Sequence, residues 1–99
     1  MQRFEECLLS TRPVLVEYYA TWSESCKLMD EELQQVKNWA GERVMVMKKD
    51  IEEYSELIER YAIHSIPTLL LFKEGKIIWR KNGFAPARDI LEQLTATLV

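Results

Sequence analysis

Apolar and polar positions along this chain change their period several times, and each change marks an element. Phe4, Leu8 and Leu9 recur at helical spacing in a short opening segment that Ser10, Thr11 and Pro13 close. Val14-Leu15-Val16-Glu17-Tyr18-Tyr19 is β-branched and aromatic with one acid inside, and reads as a strand. Met29, Leu33, Val36 and Ala40 fall on one face of a helix running to about Trp39, with Gly41 placed to cap it. Val44-Met45-Val46-Met47-Lys48 reads as a second strand, and Ile51, Tyr54, Ile58 and Tyr61 mark another amphipathic helix. After Pro67, Thr68-Leu69-Leu70-Leu71-Phe72 is a buried strand; Glu74-Gly75 turns it into a hairpin with Ile77-Ile78-Trp79. Pro86 suits the first turn of a last helix whose core face is Ile90, Leu91, Leu94 and Leu98.

The expected order is α-β-α-β-α-β-β-α. A strand–helix–strand unit demands a right-handed parallel crossover, whereas the hairpin adds an antiparallel pair. The fold class is therefore α/β, with a mixed sheet covered by helices on both faces.

Composition narrows the function classes. The 99 residues suffice for one domain, spanning 1–99, with 47% hydrophobic and 29% charged residues and only three Gly and three Pro. With a net charge of −3 and no basic stripe, nothing is built to neutralise phosphates, so nucleic acid is not an expected partner. Cys7 and Cys26 are too few for a disulfide framework or a four-ligand zinc site, and His64 has no ligand at metal-binding spacing. No metal and no cofactor is expected. The longest apolar run, Ile66 to Phe72, has strand length, far from the roughly 20 residues that span a bilayer. The opening residues show no basic-then-apolar leader, which sets the expectation of a cytoplasmic protein with reduced thiols and no membrane partner.

The chemistry concentrates where the first strand runs into the long helix, at Ala20-Thr21-Trp22-Ser23-Glu24-Ser25-Cys26-Lys27. A helix N-terminus there offers unpaired N–H groups and about half a positive charge, an environment that favours a thiolate. The segment Val14 to Lys27 resembles the active-site segment of thioredoxins, whose signature is Trp-Cys-Gly-Pro-Cys-Lys. Ile66 to Lys76 resembles the cis-proline loop and following strand of that family. Gly83-Phe84 matches its late glycine, and Lys48-Lys49-Asp50 the run after its third strand. The likeness extends over nearly the whole chain from Phe4 onward. It implies a thioredoxin fold with a mixed four-stranded sheet and four helices, the family's first strand being absent or very short. It also implies a role in thiol–disulfide homeostasis, acting on protein or peptide thiols and disulfides.

The departures bear on mechanism. Ser23 stands where the family carries its first, nucleophilic cysteine, and Glu24-Ser25 replaces Gly-Pro; only the second cysteine remains, as Cys26. In the family the first thiolate attacks a disulfide and the second releases the mixed disulfide. A serine hydroxyl is far harder to ionise and forms no disulfide, so only single-thiol chemistry at Cys26 is open. Ser23 has two readings, an N-cap or a substrate contact. Cys26 likewise is either a small buried hydrophobe or a reactive thiol that forms mixed disulfides and glutathione adducts. The resemblance puts Glu17 at the family's buried aspartate, a base for the second cysteine, with Lys48 beside it partly reversing the effect of burial. The alternative is an acid at an exposed strand end.

By the same resemblance Pro67 is cis and faces the Trp22–Cys26 loop, and the Ile66 backbone pairs with an extended substrate. Trp22, Ile66, Pro67 and Phe84 would then form an apolar patch around Cys26, able to bind peptides without redox turnover; otherwise they are turn and core residues. His64 reads as a solvated turn residue, Cys7 as buried packing, and Asp30, Glu31 and Glu32 as a solvated helix face. Three functions compete: a single-thiol redox protein, a non-catalytic peptide-binding module, and a Trp-Cys-Glu-Ser-Cys-Lys dithiol oxidoreductase in which Ser23 was introduced. Without the family's opening strand, the Val44–Lys48 edge is expected to pair with a second copy or to be blunted by the chain start.

Overall fold

The structure is a computed structural model that describes residues 4–99. Helix α1 (Phe4–Leu8) leads into strand β1 (Val14–Tyr19), helix α2 (Glu24–Ala40) and a 3-10 turn (Gly41–Arg43). Strand β2 (Met45–Asp50), helix α3 (Glu56–Arg60), strands β3 (Thr68–Lys73) and β4 (Lys76–Asn82) and helix α4 (Ala87–Leu98) complete it. The sheet order is β2-β1-β3-β4. β1 runs parallel to β2 and antiparallel to β3, which pairs antiparallel with β4. This is the mixed four-stranded sheet with four helices that the residue pattern implied.

Alternation along β1 builds the two cores. Leu15 enters a cluster with Met29, Leu33 and Val36 of α2 and Ile90 and Leu94 of α4. Val14, Val16 and Tyr18 point the other way, to Leu8, Leu57, Ile63, Leu70 and Phe72. Successive strand side chains take opposite faces, so β1 is apolar on both and belongs in the middle.

Four expectations need correction. The helix expected over Ile51 to Tyr61 is only Glu56–Arg60. Asp50 takes the chain into a turn first: its Oδ1 accepts from the Glu52 N–H at 2.8 Å and its carbonyl from the Tyr54 N–H at 3.0 Å. Leu57, not Tyr54, is the residue that α3 buries. Leu9 lies past α1 and is 66% exposed, outside the helix it was grouped with by spacing. Pro86 precedes α4 rather than entering it, with extended backbone (φ −67°, ψ 152°). Finally, Glu32 is not free on a solvated face: its Oε1 accepts from the Ala87 N–H at 2.8 Å, capping α4 from α2. The expectation that the chain start blunts the β2 edge falls on residues outside those described.

The β3–β4 hairpin closes with Glu74 (φ 52°) and Gly75 (φ 83°), the two positive-φ positions that a tight two-residue hairpin requires. Its tip is tied back to α1, since the Gly75 N–H donates to the Leu8 carbonyl at 2.7 Å. A Cβ at Gly75 would lie 2.8 Å from Leu9 Cδ2. Gly75→Ala is therefore expected to lose about 1–3 kcal/mol of stability, chiefly from left-handed strain, since the exposed Leu9 side chain can turn aside. Urea unfolding of the two proteins measures the difference, and an unchanged midpoint would refute the account.

Candidate functional site

The site forms where β1 ends and α2 begins. The Ser23 N–H donates to the Ala20 carbonyl at 3.2 Å, closing a turn that leaves Trp22 67% exposed. Ser23 is the N-cap of α2, with extended backbone (φ −87°, ψ 123°), and its Oγ accepts from the Cys26 N–H at 3.3 Å. The hydroxyl thus satisfies one of the orphan donors of the first turn. The same geometry places the Cys26 side chain on the inner face of the helix, 3% exposed. Cys7 is also buried, on α1.

Cys26 lines a cleft of about 200 Å³ with Tyr19, Ala20, Thr21, Lys27, Asp30 and Lys48. Beneath α2 lies Glu17, on the same face of β1 as Leu15 and fully buried. Neither of its carboxyl oxygens has a hydrogen-bond partner among the described residues. Burial pushes Glu17 up to about 7, with Lys48 pulling it down and Asp30 pushing it further up. Lys48 is the register partner of Glu17 across β1 and β2. Its ammonium, however, is bonded to Asp30 Oδ1 at 2.7 Å and lies 4.4 Å from the centre of the Tyr19 ring. Burial alone would lower Lys48, but the Asp30 hydrogen bond and the two carboxylates outweigh it and hold the amine above its ordinary value.

Asp30 was assigned to a solvated face, and in the structure it completes this group. Its spacing was the available signal, because residues four apart on a helix share a face and Asp30 is one turn beyond Cys26.

A second cleft, about 210 Å³, opens on the other side of the Trp22 turn and is lined by Trp22, Ile51, Ile63, His64, Ser65 and Ile66. The Ile66–Pro67 peptide is cis, and the Pro67 carbonyl accepts from the Gly83 N–H at 2.7 Å. Of the four residues assigned to an apolar patch around Cys26, Trp22 and Ile66 meet in this cleft, which Cys26 does not line. Pro67 is buried behind it, and Phe84, half-exposed, follows the Gly83 contact without lining the cleft. His64 is exposed at the rim, joined there by Ile51 and Ile63. Arg80 of β4 fixes the back of this loop, its guanidinium donating to the Tyr61 and Ala62 carbonyls at 2.6 Å each. No cluster of three metal-binding side chains exists among the described residues. Nor is any helix among them long and apolar enough to cross a membrane.

A capped helix with a buried cysteine in its first turn, set against a cis-proline loop on a mixed sheet, meets its match among known proteins. Residues 1–96 fit the Thioredoxin family model, and the chain belongs to the thioredoxin family. It is 40% identical, over 96% of its length, to thioredoxin Y, chloroplastic, of Oryza sativa subsp. japonica, and spans 57% of that relative. It is 39% identical to a thioredoxin-like protein of Synechocystis sp., covering 86% of this chain and 81% of the other. The solved structure of a chloroplastic thioredoxin z superposes with a TM-score of 0.79 at 30% identity, covering 87% of this chain and 78% of that one.

The buried carboxyl sets a pH dependence. Below about pH 4.5 Glu17 is protonated folded or unfolded and its burial carries no ionisation cost. As pH rises towards 7 the unfolded chain gives up the proton first, so stability falls; above about 7 the deficit is complete. Its size is roughly 3 kcal/mol at most. Glu17→Gln is expected to match the parent at pH 4.5 and exceed it by roughly 1–3 kcal/mol at pH 8. Urea unfolding at both pH values reads the difference, and a gap independent of pH would show that Glu17 holds no extra proton.

Proposed function

We propose that this chain is a thioredoxin-family protein of thiol–disulfide homeostasis that works through one thiol, Cys26, with Ser23 where relatives carry their first cysteine. The observation that carries the reading is that Cys26, Lys48 and Asp30 line one cleft, with the buried Glu17 as the register partner of Lys48 beneath α2 and a hydroxyl engaged as a helix cap. Glu17 accepts the Cys26 proton. The Cys26 thiolate attacks one sulfur of a protein or glutathione disulfide, that S–S bond breaks, and the departing thiolate takes up a proton. What remains is a mixed disulfide on Cys26. Ser23 has no sulfur to displace it, so release needs a second, external thiol. Trp22 and Ile66 supply an apolar groove for an extended segment of the partner, with Pro67 and Phe84 flanking it. A reducing setting such as the cytoplasm, which keeps Cys26 as a thiol, is part of the proposal.

One observation favours the binding-module reading instead: Cys26 is 3% exposed while Trp22 stands out beside the groove. Insulin reduction in dithiothreitol, together with mass spectrometry after glutathione disulfide treatment, separates the two. The parent is expected to give no turnover above background yet to gain one glutathione on Cys26, and Ser23→Cys to gain turnover. Cys26 left unmodified under those conditions would overturn the redox reading and leave the groove as the function.

A second copy of the chain is the other proposed partner. β2 is an edge strand. The Met45 N–H donates to Pro13 and the Ile51 N–H to Tyr19, so by alternation Val46 and Lys48 turn their backbone groups to the open side. Antiparallel pairing about Met47 would set Val46 against Lys48 and Met45 against Lys49, with no like charges opposed. Light scattering on a sizing column is expected to give a dimer mass for the parent and a monomer for Val46→Pro, which deletes one outward donor. A monomeric parent would rule the pairing out.

A further inference from the structure

We propose that Asp30 is a positioning residue of this site: by holding Lys48 in its own ion pair it keeps the cation from the buried Glu17 carboxyl, and so sets the charge on that carboxyl beneath α2. The inference rests on the single-thiol reading for its consequence, but its physical content concerns Glu17, Lys48 and Asp30 alone.

The geometry gives Lys48 two acids to choose between. Glu17 is its register partner on the neighbouring strand, on the face that α2 covers. Asp30 hangs over the same spot from α2, one helical turn past Cys26, and lines the same cleft. Lys48 takes Asp30, at 2.7 Å, and its ammonium lies over the Tyr19 ring. Both partners of that pair reach solvent, their side chains being 34% and 57% exposed. Pairing at the rim avoids carrying an ammonium into the interior, where the loss of hydration would be large. Glu17 is left fully buried and unbonded.

Other neighbours offer Glu17 no substitute. From β3 its register partner is Leu69, and the α4 residues of the same core, Ala87, Ile90 and Leu94, are apolar. From α2 the titratable side chains at the cleft are Cys26, Lys27 and Asp30, and Lys27 is paired with Glu24 at 3.1 Å. Among the described residues Lys48 is thus the cation that acts on Glu17, facing it in register while bonded to Asp30. An unpaired carboxylate is costly in such surroundings, so while Asp30 keeps the lysine Glu17 holds its proton more tightly than a free carboxyl and still gives it up near neutrality. A Glu17 left without the lysine thus retains room to change charge near neutrality. If Lys48 turned inward, Glu17 would be a fixed anion over the whole working range and no longer a proton carrier.

Removing Asp30 releases Lys48 towards Glu17. The measurement is a pH titration of the Glu17 side-chain carbon by carbon-13 NMR in the full chain, for the parent, Asp30→Asn, Lys48→Met and the double variant. The parent midpoint is expected near 7. Asp30→Asn is expected to lower it by one pH unit or more. In the Lys48→Met background the same Asp30 substitution is expected to shift it by less than a third as much, because only the direct repulsion between Asp30 and Glu17 is then removed, with no lysine to release. Equal shifts with and without Lys48 would overturn the proposal, and so would an unchanged midpoint in Asp30→Asn. Asp30 is exposed, so loss of folding does not stand in for these outcomes, and a substitution that merely loosened α2 would not depend on Lys48. The titration reads Glu17 whether or not Cys26 reacts, so an inert thiol defeats the proposed function while leaving this inference standing.

Discussion

A strand covered on both faces governs this molecule. β1 is hydrogen-bonded to a neighbour on each side and packed under helices on each face, so every side chain from Val14 to Tyr18 is out of water. Four of those five are apolar and divide between two cores. The fifth is Glu17, and a carboxyl without partners is among the costliest groups to place there. Both the register of the sheet and the chemistry of the site follow from that placement. Slipping β1 by one residue would exchange its faces, turning Glu17 to the α3 core and Tyr18 into the space below α2.

The long helix serves as both support and instrument. Its inner stripe, Met29, Leu33, Val36 and Ala40, anchors it on the sheet. Its first turn presents Cys26 inward because Ser23 fixes where the helix starts. Asp30 then reaches Lys48, and Glu32 reaches the start of α4. One helix thus carries the thiol, steers the cation and secures the last element.

What the sequence made legible follows the range of the interactions involved. β1, α2 and β3 are decided by local periodicity, and their existence could be read from residue types alone. The turn chemistry of Asp50 was missed because an acid at a strand end carries no periodic signal, so apolar spacing over Ile51 to Tyr61 suggested more helix than forms. At the site, Ser23, Cys26 and Glu17 stood out through resemblance and through being polar in apolar company. Asp30 and Glu32 did not, since each looks like any surface acid on a helix. Their partners lie 18 and 55 residues away, a separation that no local pattern spans.

Arg80 has an importance beyond its distance from the thiol. Its two donors hold consecutive carbonyls at the end of the segment that leads to Ile66, so one wall of the apolar cleft is anchored from an edge strand. The opposing wall is Trp22, standing free on a turn. Such a cleft has one jaw tied by hydrogen bonds and one that stands in solvent. For the extended peptide proposed to bind there, half of the mould would already be set and ordering entropy would fall mainly on a single indole, which suits recognition of varied sequences through a common extended shape.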